Sequence, residues 1–171
     1  MIGVKVSLFF LTIITVRFIF IYINDIGDKK IIKMKELIDF TDYLRIYSCD
    51  MKMPFEEILL KFNFKSNEIK NICNRLLDEV KNNIKKNCNE KSLSCFIKES
   101  AMIQDDFNTI FVEIVCYYGS TYSDILEKKL IMTIKEMDHS MREYEDYHKE
   151  KKNLYNKVSI LFGCLTAVIL V

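Results

Sequence analysis

The sequence predicts an all-α protein, a bundle of helices with an apolar segment at each end. Three observations carry this reading. One proline and four glycines among 171 residues leave few chain breakers, which favours long helices over a turn-rich β fold. Apolar residues through the middle of the chain recur at steps of three and four, the period of a helix. Half of the residues are hydrophobic although 29% are charged, and the two values are reconciled because the apolar residues gather at the termini.

The first apolar segment runs from Val6 to Ile23, with Arg17 as its single charge. At about 1.5 Å per residue, about 18 residues make roughly 27 Å of helix, close to the ~30 Å hydrocarbon core of a bilayer. Arg17 would cost about 2.5–3.5 kcal/mol at the bilayer centre, and it lies near enough to the inner end to reach the headgroups. A cleaved signal peptide would need small residues after the apolar run. Here the run ends Phe18, Ile19, Phe20, Ile21, Tyr22 and Ile23, which argues for a retained anchor.

The last segment, Val158–Val171, is shorter. About 14 residues span only ~21 Å, marginal for crossing a bilayer. A buried helix end or an interfacial plug is the alternative. Ser159 and Gly163 form a small-x-x-x-small pair, which lets helices approach closely in lipid. Lys29, Lys30, Lys33 and Lys35 follow the first segment, and Arg142, Lys149, Lys151, Lys152 and Lys157 precede the last. The excess of basic residues near membrane segments faces the cytoplasm, so the central region is expected there and both termini outside. The resulting domains are a transmembrane helix over 1–23, a cytosolic helical bundle over 24–157 and a short transmembrane segment over 158–171.

In the middle, Ile31, Met34, Leu37, Ile38, Leu44 and Tyr47 share helical spacing. Asp50–Met53 make a turn, and Pro54 opens a second helix carrying Phe55, Ile58, Leu59 and Phe62. Ser66 is a fair N-cap for a third, with Glu68 in its first turn. Ile69, Ile72, Cys73, Leu76, Leu77, Val80 and Ile84 then form the clearest amphipathic stripe. Asn82–Ser92 reads as a solvated helix end and loop, since its lysines have no interleaved aromatics for a nucleic-acid patch.

A short helix is expected around Leu93–Met102. Asp105 and Asp106 open another, with Ile110, Phe111, Ile114, Val115 and Tyr118 as its buried face and Gly119 as its left-handed cap. Ser123 or Asp124 caps the last helix. Its stripe, Leu130, Ile134, Met137, Met141, Tyr144 and His148, alternates steps of four and three, a heptad suited to packing along another helix. This helix continues through Lys157 into the tail.

No residue set points to chemistry. Glu-x-x-His occurs twice, at Glu136–His139 and Glu145–His148. Di-iron bundles place one copy on each of two facing helices. Here both lie on one helix, and nine residues at 100° each put the histidines on opposite faces. His148 is therefore expected to be a partly buried structural residue and His139 a surface one; a metal or redox protein using these pairs across an oligomer is the alternative. The six cysteines, Cys49, Cys73, Cys88, Cys95, Cys116 and Cys164, contain no C-x-x-C, so reduced and mostly buried thiols are expected rather than a metal site or a disulfide framework. No nucleophile elbow, phosphate loop or dinucleotide fingerprint is present. No catalytic, cofactor-binding or metal-ligating residue is assigned, and no cofactor. A net charge of +1 supplies no field for nucleic acid.

The segment YYGSTYSDILEKKL (Tyr117–Leu130) and the end KNLYNKVSILFGCLTAVILV resemble the helix-glycine-turn-helix element and the glycine-bearing apolar tail of the stage III sporulation protein AB family. The N-terminal apolar helix and the turn before Pro54 fit as well. Ser159, where the family commonly has glycine, and Arg17 are departures. The resemblance implies an antiparallel helical bundle similar to the cytoplasmic domain of the type II secretion inner-membrane protein F. It further implies a non-enzymatic platform in the secretion-like channel complex between mother cell and forespore, seated in the mother-cell membrane around the forespore. Its expected partners are that membrane, other channel subunits and a cytosolic ATPase, with no nucleic acid and no small-molecule substrate. Self-association is compatible with this organisation.

Overall fold

A computed structural model describes residues 2–84, 90–118 and 122–170. The Gly119 cap with residues 119–121 of the Gly119–Asp124 turn, Cys88 with residues 85–89 of the polar stretch, and Val171 lie outside the described residues. Helix α1 covers Ile2–Arg45 and continues into a π-helical turn, Ile46–Asp50; α2 covers Phe55–Lys61, α3 Asn67–Ile84, α4 Glu90–Ala101, α5 Asp105–Val112, α6 Ile114–Tyr117 and α7 Ser123–Leu170. No strand occurs among the described residues.

The chain divides into two compact units. One joins Met1–Lys29 to Tyr144–Val171, and the other is Lys30–Glu143. In the second unit Met34, Leu37, Phe40 and Leu44 of α1 are fully buried. Thr41 is buried too, donating its hydroxyl to the Leu37 carbonyl and resting against Met137 of α7. Phe40 anchors an aromatic cluster, its ring 5.4 Å from Phe62, 5.6 Å from Phe64 and 6.1 Å from Phe55. Edge and tilted ring pairs at these separations add to simple burial. They fasten the loop after α2 onto α1. The stripe of α3 is buried as the spacing predicts, with Ile69, Ile72, Cys73 and Leu76 sealed, and α3 packs on α2, α4 and α6.

The turn before Pro54, the Ser66 cap of α3 and the end of α4 fall where expected. Lys52 takes φ of 52° in the turn before Pro54, and Met102 takes φ of 55° where α4 ends; both stop their helices without glycine. The Ser66 backbone N–H is taken by Glu36 at 3.1 Å, as is the Lys65 N–H at 2.6 Å, so a carboxylate from α1 helps satisfy the entrance to α3. At α7 the first carbonyl acceptor among the described residues is Tyr122, bonded by Ile125 and Leu126, one residue before the expected Ser123 or Asp124.

The helix from Asp105 breaks at Glu113, between α5 and α6. Tyr117, after the break, is buried, whereas Ile110, before it, and Tyr118 are only partly buried. Tyr117 meets Thr133 of α7 at 2.6 Å, and burial pushes its phenol up to about 12. Cys49 and Cys73 are buried, but Cys95, Cys116 and Cys164 are exposed, contrary to the expectation of mostly buried thiols. The exposed three sit on helix faces turned away from the core, where sequence spacing offers no stripe to hold them. Burial, and then the charge of Glu36, holds the Cys73 thiol far above its ordinary range, which keeps it inert.

Candidate functional site

The unit formed by the first part of α1 and the last part of α7 holds a polar cluster around His148. The two helices run antiparallel, with Ile13 beside Gly163, Phe20 beside Tyr155 and Gly27 beside His148. Gly27 sits inside α1 without interrupting it. A Cβ there would fall 2.1 Å from His148 Cε1, so the absent side chain is the space the imidazole occupies. His148 Nε2 lies 3.0 Å from Asp28 Oδ1, and Lys152 Nζ donates to Asp28 Oδ2 at 2.7 Å. The Tyr144 ring stacks parallel to the imidazole at 6.1 Å. His148 is buried, whereas Asp28 and Lys152 are each nearly half-exposed. Asn24, one turn earlier on α1, is buried, and its Oδ1 meets no hydrogen-bond partner among the described residues.

This arrangement is a clasp between helices. Its carboxylate bridges two nitrogen groups 120 and 124 residues further along the chain. The Lys152 hydrogen bond, opposed by partial burial and helped by His148, holds the Asp28 carboxyl below its usual range. A carboxyl depressed in the folded state contributes stability that is present above the ordinary aspartate value of about 3.9 and is lost as pH falls through the lower folded value. Asp28→Asn is therefore expected to flatten the acid limb of thermal stability below about pH 4, leaving the midpoint at pH 10 no lower than its value at pH 7 relative to the parent chain. Melting curves of the detergent-solubilised protein from pH 3 to pH 10 check this; an unchanged acid limb would refute it.

The other Glu-x-x-His copy behaves differently. His139 is exposed and faces Glu143 at 3.5 Å along its own helix. One histidine is buried and the other solvated, as the nine-residue spacing predicts. Glu136 and Glu145 join neither histidine among the contacts described, and no group of three or more His, Cys, Asp or Glu that could hold a metal occurs among the described residues. An open surface groove of about 500 Å³ is lined by Lys30, Lys98, Met102, Ile103, Gln104 and Asp105, with Lys98 already paired to Asp105 at 2.9 Å.

Sequence reasoning singled out His148 but missed Gly27, Asp28 and Lys152 as its surroundings, and missed Glu36 as a buried acid. A glycine uninterrupted within a helix was the available signal for Gly27. Asp28 and Glu36 gave none, because their partners are distant in sequence.

The fold thus defines a helical protein whose α1 is long and apolar enough to cross a membrane, built on paired terminal segments. The model of the family described as Stage III sporulation protein AB matches residues 5–171, and the chain belongs to that family. Neither a curated protein nor a solved structure matches.

Proposed function

We propose that the chain is a non-enzymatic platform subunit of the channel complex between mother cell and forespore, docking a cytosolic ATPase. The observation that carries the reading is the family match over residues 5–171, joined to an N-terminal helix of membrane-spanning length and composition. The paired terminal segments support an anchor made of two helices. Thr12 and Thr15 donate their hydroxyls to the carbonyls of Leu8 and Leu11, and Ser159 donates to Asn156, which satisfies these groups without water. Gly163 lets α7 approach the backbone of Ile13, so Val158–Val171 gains a helical partner that its own short length lacks. Lysines after α1's apolar run and before α7's support a cytoplasmic side for the region between them, since basic residues near membrane segments favour that side.

In this reading the bundle over residues 24–157 presents the docking surface, similar to the cytoplasmic domain of the type II secretion protein F. Tyr122 and Leu60 project from it, 86% and 82% exposed, the kind of side chains that anchor an interface. Two measurements test the proposal. Reporters fused after Val171 are expected to be active outside the cytosol. The detergent-solubilised chain is expected to retain the ATPase of its complex on an affinity column. A folded chain that never retains the ATPase would overturn the docking function, and a cytosolic C-terminal reporter would overturn the topology.

A further inference from the structure

The register of the two terminal helices places the edge of the membrane. Three contacts fix that register: Ile13 against Gly163, Phe20 against Tyr155 and Gly27 against His148. Seven residues forward on α1 are met by seven or eight residues back on α7, the advance of an antiparallel heptad pair. Arg17 is therefore level with Val158 and Ser159, and Phe18 is level with Lys157. The two apolar runs do not end together. That of α1 continues to Ile23, whereas the facing stretch of α7 reads Lys152, Asn153, Leu154, Tyr155, Asn156 and Lys157.

If hydrocarbon reached Ile23, Lys157, Asn156, Asn153 and Arg17 would all be immersed with it. Drawing the edge at Arg17 removes every one of them, because charged side chains are costly inside the bilayer and settle at its boundary. It replaces the Val6–Ile23 span by the stretch before Arg17 that faces the tail, about 20 Å, which a locally thinned bilayer accommodates. Arg17 then ceases to be an anomaly. Beyond the edge lie Phe18, Ile19, Ile21 and Tyr22, all exposed, with Phe20 on Tyr155 at 5.5 Å. Aromatic side chains collect at headgroup level, where an apolar ring meets a polar layer.

We propose that the cytoplasmic edge of the hydrocarbon lies at Arg17 and Lys157, and that Phe18–Ile23 with Tyr155 forms a belt seated among lipid headgroups. Arg17 and Lys157, both exposed, face the phosphodiester oxygens there. The occupant of the belt is lipid. The exposed apolar surface between Arg17 and Ile23 is contiguous with the apolar face below it, and its flanking charges are basic, complementary to anionic headgroups. The proposal rests on the reading that the terminal helices are a membrane anchor.

The chain has no tryptophan, so a single introduced one reports its own depth. Phe10 and Phe18 are 59% and 67% exposed, and Phe10→Trp and Phe18→Trp disturb no packed core. The two sites are about 12 Å apart along the helix. The full-length variants are reconstituted in vesicles of phosphatidylcholine and phosphatidylglycerol carrying lipid brominated near the headgroup or near the chain end. With the edge at Arg17, Phe10→Trp is quenched more by chain-end bromine. Phe18→Trp is quenched more by headgroup-proximal bromine and emits at longer wavelength. With the edge at Ile23 the two sites flank the bilayer centre, so equal depths would overturn the proposal and leave the anchor intact. Protein that floats with the vesicles but is quenched at neither site would mean that protein covers the belt, which also overturns it. Protein that fails to float would overturn the anchor reading itself.

Discussion

Replacing Phe40 by alanine is expected to destabilise the Lys30–Glu143 unit by about 3–5 kcal/mol. Phe40 is fully buried and its ring contacts Phe55, Phe62 and Phe64. Truncation leaves a cavity that three rings on a helix and a loop border, and it removes the edge-on ring contacts as well. Those elements cannot all collapse inward. Phe62 and Phe64 hold the loop that delivers Lys65 and Ser66 to Glu36. The loss therefore extends to the entrance of α3. Thermal unfolding of the solubilised chain, followed by helical circular dichroism, measures it. Phe40→Met, nearer in volume, is expected to cost less. A fall in stability under about 1 kcal/mol for Phe40→Ala would show that the aromatic cluster is not the centre of this core.

The second large effect is expected at Gly163. A Cβ placed there would lie 3.3 Å from the Ile13 Cα. The obstacle is backbone, which cannot rotate aside as a side chain would. Gly163→Leu must push the two helices apart, with a cost of about 1–3 kcal/mol. Leu161→Ala, on an outward face, is the control and should stay within about 0.5 kcal/mol. If the pairing with α1 is what lets the short tail cross, Gly163→Leu should also increase proteolysis of the tail in vesicles. Unchanged melting for Gly163→Leu would show that the terminal helices do not rely on this contact.

Gly27 and Gly163 illustrate how much was legible beforehand. Both are glycines inside helices, where glycine lowers helix stability by about 1 kcal/mol against alanine. Gly163 was readable through its spacing from Ser159, which suggests close helix packing. Gly27 stood alone, and only the imidazole above it gives its reason. The heptad on α7 likewise announced a partner helix without saying which. His148 was expected to be buried by its place on that stripe, and it is. Its partner Asp28 could not be read, because nothing local distinguishes it from Asp25, which pairs with Lys29 one turn away.

The helical class, the apolar ends, the buried stripe of α3 and the long last helix were all legible in the local pattern of residues. Each follows from composition and from a period of 3.6 residues, which act over a turn or two of chain. It took the folded chain to bring Glu36 to the entrance of α3 and Asp28 to His148 and Lys152. The fold alone set the register of α1 against α7, which brings Arg17 level with Val158 and Ser159. These depend on contacts between residues more than a hundred positions apart or on opposite sides of a loop. Such contacts are chosen by how whole faces fit, and no local pattern encodes the fit of two distant faces.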